Sequence, residues 1–254
     1  MKTFAITGAA SGIGAGVTAK LRSLGHRVVT VDLRAADITA DLATPEGRSI
    51  AVEGILSAAP RGLDGLVPCA GVGPQTQPPL SIPALNYFGS VSLVEGLRAS
   101  LEVARGSVVL ISSNSATLRP YDEEYVGLLL SNDEPGTCRR AAALDSMTLY
   151  GDGKHALVRW MRKNSTDYVR RGVRMNAIAP GYTRTALTEA ASKDPAYAQA
   201  MHEFVASIPI GHAGEPEDQA NAVAFLLGEA AAFICGAVIF VDGGHDALFR
   251  PDSF

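Results

Sequence analysis

Tyr150-Gly151-Asp152-Gly153-Lys154 sets a phenol and an ammonium four residues apart. On a helix that spacing puts both on one face, so the two groups can share a site. A free tyrosine titrates near pH 10, and a neighbouring cation favours its phenolate. A phenol tuned towards working pH can pass a proton to or from a carbonyl oxygen. Ser113, just past the apolar run Val108 to Ser112, offers a hydroxyl at a strand end.

A second constellation opens the chain. Phe4-Ala5-Ile6 runs straight into Thr7-Gly8-Ala9-Ala10-Ser11-Gly12-Ile13-Gly14, where a periodic helical stretch begins. A strand that turns tightly into a helix needs glycine for positive φ, for close approach to a ligand and for helix–strand packing, and Gly8, Gly12 and Gly14 are spaced for those tasks. The helix start presents free N–H groups and the positive end of its dipole, which suits a pyrophosphate. Arg27 to Asp32 then reads as a buried strand with an acid at its carboxyl end, 18 residues past Gly14. That spacing lets the acid accept hydrogen bonds from adenosine ribose hydroxyls while repelling a 2′-phosphate. NAD(H) is therefore expected over NADP(H), with Arg34 as the one opposing signal.

The elements that must position these residues follow in order. A helix runs from Gly14 to about Leu24, closed by Gly25 in a left-handed cap. Ile38 to Leu42 reads as a short strand, and Thr44-Pro45-Glu46 has the chemistry of a helix start. Leu63 to Val67 is a strand ending in the small residues Cys69-Ala70-Gly71, over which a cofactor could pass. A helix carrying Asn86 starts at Ser81 or Pro83 and reaches about Val103. Val108 to Ser112 is the next strand, and 116–147 follows as short pieces: Arg119-Pro120, one helical turn at Glu123 to Leu130, the piece Asn132 to Gly136 and an alanine-rich turn. Leu149 to about Val169 is a long helix, Arg174 to Ala179 a strand, Glu217 to Leu227 a helix and Ala237 to Val241 the last strand. This alternation predicts a single α/β domain, a doubly wound parallel sheet of Rossmann type, with ligands beyond the carboxyl ends of the strands.

Composition narrows the function classes. The 254 residues are 47% hydrophobic and 19% charged, with a net charge of -4, which gives no support to a nucleic-acid or anionic-membrane surface. Cys69, Cys138 and Cys235 are scattered, without zinc-type spacing, so a reduced cytoplasmic setting and no metal are expected. No secretory apolar region precedes Thr7. Ala220 to Val241 is nearly all apolar, but Asn221, Gly228, Glu229 and Gly236 interrupt it, so it reads as a helix end, a turn and a core strand rather than a membrane span.

Taken together, these motifs resemble the short-chain dehydrogenase/reductase family along essentially the whole chain. The likeness rests on Thr7-Gly8-x-x-x-Gly12-x-Gly14, Asp32, Asp41, Ala70-Gly71, Asn86, Ser113, Tyr150-x-x-x-Lys154, Pro180-Gly181-x-Thr183 and Val241-Asp242-Gly243-Gly244, all in the family's order. It implies that Tyr150 is the general acid/base and that Ser113 holds the substrate oxygen. Lys154 would bind the nicotinamide ribose and depress the phenol, and Asn86 would support a water in the proton relay. The same likeness implies a cofactor site made of Gly8, Ser11, Gly12, Ile13, Gly14, Asp32, Leu33, Asp41, Leu42, Cys69, Ala70, Gly71, Tyr150, Lys154, Pro180, Gly181, Thr183 and Thr185.

Departures from the family pattern carry information too. Gly151 and Gly153 cost a helix about 1 kcal/mol each relative to alanine, and lost bulk there could admit cofactor or substrate. Asp152, two residues from Tyr150, should face away from it. Ser113 and Tyr150 are 37 residues apart, which implies an insertion over about 116–147. Such an insertion resembles the 3α-hydroxysteroid dehydrogenase/carbonyl reductases of the family, as do Cys69 to Thr76, Asn86 to Gly89 and the tail from Asp246 to Phe254. The resemblance implies a homodimer through the last helix and strand, because the insertion obstructs the usual tetramer contact. Leu187, Ala190, Ala191, Met201, Phe204, Val205 and Ile208 give 185–209 an apolar stripe that suits either a substrate lid or packing on the body of the protein. The expected reaction is NAD(H)-dependent interconversion of a secondary alcohol and a ketone, on 3α-hydroxysteroids, 3-ketosteroids and xenobiotic carbonyls. Alternatives are the same chemistry on a cyclic diol, terpenoid or 3-oxoacyl thioester, and a dinucleotide-sensing regulator without turnover.

Overall fold

A computed structural model describes residues 1–117, 120–185, 188 and 195–253, with the side chains of all these but 195–198, 200 and 201. Seven parallel strands form one sheet in the order β3-β2-β1-β4-β5-β6-β7. They are β1 (Thr3–Thr7), β2 (Arg27–Asp32), β3 (Ile38–Thr39), β4 (Gly65–Val67), β5 (Ser107–Ile111), β6 (Arg174–Pro180) and β7 (Val238–Val241). The order reverses at β1 and β4, so the two halves of the sheet diverge above the first turn. That is where such sheets bind ligands.

Each face of the sheet is covered by helices. On one side α1 (Gly12–Ser23) packs along α10 (Pro216–Leu227), enclosing Ile6, Val17, Leu21, Val109 and Val223. On the other lie α2 (Pro45–Ala58), the helical run from residue 81 and the long α8 (Ser146–Arg170), enclosing Val31, Ile55, Leu66, Leu93, Leu110 and Trp160. The central strands β1, β4, β5 and β6 are buried on both faces, which is why they read as unbroken apolar runs rather than alternating ones.

Local chemistry sets most boundaries. Thr44 caps α2 by accepting the Gly47 N–H at 3.0 Å, with Pro45 behind it, as expected. Gly25 takes φ 78 at the end of α1. The third strand is shorter than expected. Beyond Thr39 the Asp41 side chain accepts the Ala43 N–H and its carbonyl accepts the Thr44 N–H, making a turn that ends the extension. The long helix begins at Ser146 rather than Leu149, because Asp145 caps it through the Met147 and Thr148 N–H groups.

The helical run from residue 81 is not uniform. It starts as α3 (Ser81–Pro83), passes through a π turn at Ala84–Gly89, continues as α4 (Ser90–Gly96), and after Leu97 resumes as α5 (Arg98–Ala104). Side-chain donors compete for its carbonyls: Arg48 donates to Ala84 and the Ser90 hydroxyl to Asn86. Between β5 and α8 lie a 3₁₀ turn (Asn114–Thr117), α6 (Glu123–Leu130) and α7 (Glu134–Ala141). The short piece Asn132 to Gly136 contains the start of α7. Asp133 caps it by accepting the Gly136 N–H, and Pro135 sits in its first turn.

Past β6 come α9 (Pro195–Ala206), α10 and, after β7, α11 (His245–Phe249). Leu187, Ala190 and Ala191 of the apolar stripe, and Phe254 of the tail, lie outside the described residues. So do Leu118 and Arg119 between β5 and α6.

Candidate active site

The first turn does what its glycines require. Gly8 and Gly12 take φ 64 and 52, which a side chain would resist. A Cβ on Gly8 would lie 2.8 Å from the Ala70 backbone, and one on Gly14 would lie 2.1 Å from the Gly8 carbonyl oxygen. Thr7 extends its hydroxyl to accept the Ala70 N–H at 2.9 Å, so the turn and the end of β4 are locked together. Ser11 stands extended at the N-terminus of α1, ahead of Ile13. Across the cleft the Thr185 methyl is 3.2 Å from where a Gly12 Cβ would project.

Asp32 ends β2 beside this turn. One carboxylate oxygen accepts the Ala10 N–H at 2.9 Å and the other the Leu33 N–H at 2.7 Å. Each oxygen retains a further lone pair for a ligand hydroxyl. Asp41 holds its own turn, while Leu42 is buried behind it.

Past β4, Cys69-Ala70-Gly71 leads the turn towards the second constellation. A Cβ on Gly71 would lie 3.1 Å from Asn86 Oδ1 and 3.9 Å from Lys154 Nζ. Burial pushes the Cys69 thiol up to about 12, with Lys154 pulling it down and Asp32 raising it further. That thiol is a packed, unreactive group. The Asn86 carboxamide accepts from Val72 N at 2.8 Å and donates to Val72 O at 2.9 Å. Both its ends are thus committed to fixing the chain that carries Gly71.

Tyr150 and Lys154 face the cleft from α8, and Ser113 meets them from beyond β5. The Ser113 hydroxyl lies close enough to the Tyr150 phenol to act on its ionisation. Burial raises the phenol above its ordinary range, and Ser113 draws it part of the way back. Lys154 Nζ lies 5.9 Å from the centre of the Tyr150 ring and donates to the Ile111 carbonyl at 2.8 Å. Desolvation brings the Lys154 ammonium down to about 8.

The sheet's far edge closes the site. Gly181, after Pro180, donates its N–H to Val241 O at 3.1 Å, and a Cβ there would strike Asp242 at 2.6 Å. Thr183 bridges to Gly214 and accepts from Gln219 at 3.2 Å. Thr185 is tied to Thr188 through its N–H at 2.9 Å.

One departure turns out to serve the 116–147 segment. Asp152 is 4% exposed and faces away from the cleft, accepting the Asp122 N–H at 2.8 Å at the start of α6. A Cβ on Gly153 would lie 3.8 Å from the Tyr125 hydroxyl of α6, and one on Gly151 would lie 3.5 Å from the Ser115 carbonyl. Both are ordinary contacts. The expectation that these glycines admit cofactor or substrate is corrected, since they face protein and alanine would fit.

The sequence reading overlooked two residues. Arg48, 7% exposed, forks onto Glu134 with both bonds at 2.8 Å and donates to the Leu42, Ala43 and Ala84 carbonyls. Ser115 bonds Ser113. An arginine in the first turns of a helix is an ordinary surface residue by pattern, and only the distant Glu134 distinguishes this one.

Comparison with known proteins decides the lineage. The chain is 37% identical over 259 residues, covering all of both proteins, to 3-alpha-hydroxysteroid dehydrogenase/carbonyl reductase of Comamonas testosteroni. It belongs to the short-chain dehydrogenase/reductase family. It is an oxidoreductase of that family. The family model described as enoyl-(acyl carrier protein) reductase matches residues 137–246. The structure of the 3-alpha-hydroxysteroid dehydrogenase from Pseudomonas sp. B-0831 complexed with NADH superposes with a TM-score of 0.95 at 41% identity, covering all of both chains. A more distant relative is the 2,5-dichloro-2,5-cyclohexadiene-1,4-diol dehydrogenase of Sphingobium indicum, 30% identical over 97% of this chain and 98% of its own. Among the described residues no helix is long and apolar enough to cross a membrane.

Proposed function

We propose that this protein interconverts a secondary alcohol and a ketone with NAD(H), with Tyr150 exchanging the proton, Ser113 holding the substrate oxygen and Lys154 holding the nicotinamide ribose. The observation that carries this reading is the meeting of Ser113, Tyr150 and Lys154 beside Gly71, one strand from the glycine turn. The residues fit the dinucleotide. Two positive-φ glycines open a helix N-terminus to phosphate, and Asp32 keeps lone pairs for ribose hydroxyls. When bound, NAD(H) supplies the hydride acceptor or donor.

The protein's own residues handle the rest. Ser113 and the phenol both reach the oxygen that gains or loses a proton, so oxygen charge is neutralised as it develops. Asn86 supports the proton path through the contacts it has, holding Val72 and with it Gly71 beneath Lys154. Leu33, Asp41 and Leu42 take the adenosine end, while Ala70, Pro180, Gly181, Thr183 and Thr185 border the nicotinamide.

The substrate in this reading is bulky and apolar, a 3α-hydroxysteroid, 3-ketosteroid or xenobiotic carbonyl, as the name of the Comamonas relative suggests. The described part of the expected lid, 195–209, carries Phe204 edge-on against Tyr182 and His245. The 116–147 segment is an insertion of this lineage. The assembly is a cytoplasmic homodimer joined through α10 and β7, whose neighbouring Phe225 and Phe233 are exposed. A second reading, oxidation of a cyclic diol, has the Sphingobium relative in its favour.

The deciding experiment follows NADH oxidation against steroid, aromatic and aliphatic ketones, with Tyr150→Phe as control. Turnover of bulky ketones is expected, and the variant should lose roughly 10²–10⁴-fold in kcat. Undiminished turnover in Tyr150→Phe would remove the reading. Oxidation of cyclic diols with indifference to steroids would move it to the second substrate class. Tight NADH binding with no carbonyl ever reduced would favour a regulator, and a higher kcat/KM with NADPH would show Arg34 outweighing Asp32.

A further inference from the structure

Ser113 has company that its place in the reaction does not explain. The Ser115 hydroxyl donates to Ser113 Oγ at 2.9 Å, and the Ser115 main-chain N–H points to the same oxygen at 3.2 Å. A serine hydroxyl has one proton to give and two lone pairs to fill. Ser115 fills both. The proton of Ser113, itself 8% exposed, is left for a group other than Ser115, and the Tyr150 phenol is the titratable neighbour on which Ser113 acts.

We propose that Ser115 is a positioning residue that fixes Ser113 as a hydrogen-bond donor, its one proton directed to the Tyr150 oxygen while the substrate site is empty and to the substrate oxygen once substrate binds. The inference rests on the reading above, in which Tyr150 exchanges the proton. A donor aimed at the phenol oxygen favours the phenolate, whereas a free Ser113 could turn and accept from the neutral phenol, which favours the opposite form. Donation by a hydroxyl that is itself accepting is also stronger than donation by one that is not. Ser115 is held for this task by its own backbone, whose carbonyl lies against Gly151 of α8.

The other titratable groups near this corner stay constant between variants. Lys154 is bonded to Ile111 and Cys69 is buried beside it. His155 turns away, stacked on Tyr121 and directed at the Ala116 carbonyl.

Four variants test the proposal: Ser115→Ala, Ser115→Thr, Ser113→Ala and the double variant Ser113→Ala/Ser115→Ala. In alcohol oxidation, where phenolate is the active form, Ser115→Ala should move the acidic limb of the kcat/KM profile to higher pH by about half a unit to one unit. Its kcat should fall roughly 3–10-fold with KM for NAD unchanged. Ser115→Thr, which keeps both donors, should restore the profile. The double variant should be no slower than Ser113→Ala alone, because Ser115 acts through Ser113. Additive losses, or an unmoved pH profile in Ser115→Ala, would overturn the proposal. The phenol can also be titrated without substrate, as the absorbance difference between a protein and the same protein carrying Tyr150→Phe. A higher phenol midpoint in Ser115→Ala upholds the positioning role even where no ketone is turned over, an outcome that would count against the oxidoreductase reading alone.

Discussion

Arg48 and Lys154 are both buried cations at the carboxyl edge of the same sheet, 7% and 6% exposed, yet their surroundings are opposite. Arg48 is answered by a carboxylate, forked onto Glu134, and by three carbonyls from the turn after β3 and the π turn. Lys154 has one carbonyl, Ile111, and burial has drawn its pKa down to about 8. The first is a structural tie. It joins α7 to the loop holding Asp41 and Leu42 and to the turn holding Asn86. The second is a charge with no anion beside it among the described residues, the condition in which a group responds to whatever binds beside it. A matched ion pair fixes geometry, and an unmatched one keeps chemistry available at the cost of stability.

The sharpest way to break this contrast is Glu134→Ala. Removing one partner of a buried pair strands the other, and the expected loss is about 2–4 kcal/mol in denaturant unfolding. That is below the full range because Glu134 keeps 30% of its side-chain surface. A loss under about 0.5 kcal/mol would mean that Arg48 finds water and that the tie is nominal.

Lys154→Met tests the other side. Turnover should vanish, yet stability at pH 7 should rise by roughly 1–3 kcal/mol, the relief of a buried charge less one hydrogen bond. The folded-state pKa lies below the ordinary 10.5, so the unfolded chain holds more protons between about pH 8 and 10.5. Wild-type stability from this group therefore rises across that window, and the advantage of the variant should shrink as pH climbs. A melting-temperature series from pH 7 to pH 10 reads this directly. A Lys154→Met protein less stable than wild type at pH 7 would show that the ammonium is paid no desolvation penalty.

Asp152→Asn gives the smallest expected effect and places a third buried charge on the scale. Burial raises the Asp152 carboxyl, helped by Asp122, Asp145 and Glu123, while the Asp122 N–H opposes. A raised carboxyl pKa makes the ionised form a liability that is present at pH 7 and disappears as pH falls through the folded-state value. The variant should gain up to about 1 kcal/mol at pH 7 and nothing near pH 4. Equal shifts at both pH values would assign the effect to packing.

Legibility in the sequence followed range. The turn from Thr7 to Gly14, the acid at Asp32 and the cap at Thr44 each act within a few residues, so residue types alone identified them. Tyr150 and Lys154 were placed on one face by helical period, and the structure puts both towards the cleft. The segment from Asn114 to Asp145 was poorly legible for the opposite reason. Its two eight-residue helices are too short to stand alone and are held by Arg140 on Asp122, Arg48 on Glu134 and Tyr125 against α8. Gly151 and Gly153 invited an explanation from the cofactor side, and only packing showed that they face the neighbouring segment.

The sequence by itself determined the alternation of strand and helix, the phosphate-type turn and the helical face shared by phenol and ammonium. Each of these depends on backbone conformation over one turn or one strand, which local residue types dictate. The tertiary structure alone decided which buried cation received a carboxylate, which way Asp152 faced and which atom the Ser113 hydroxyl was left to address. Those outcomes depend on groups separated by dozens of residues, or on the rotamer of a neighbouring side chain. Only the packed chain brings the competing donors and acceptors close enough to settle them.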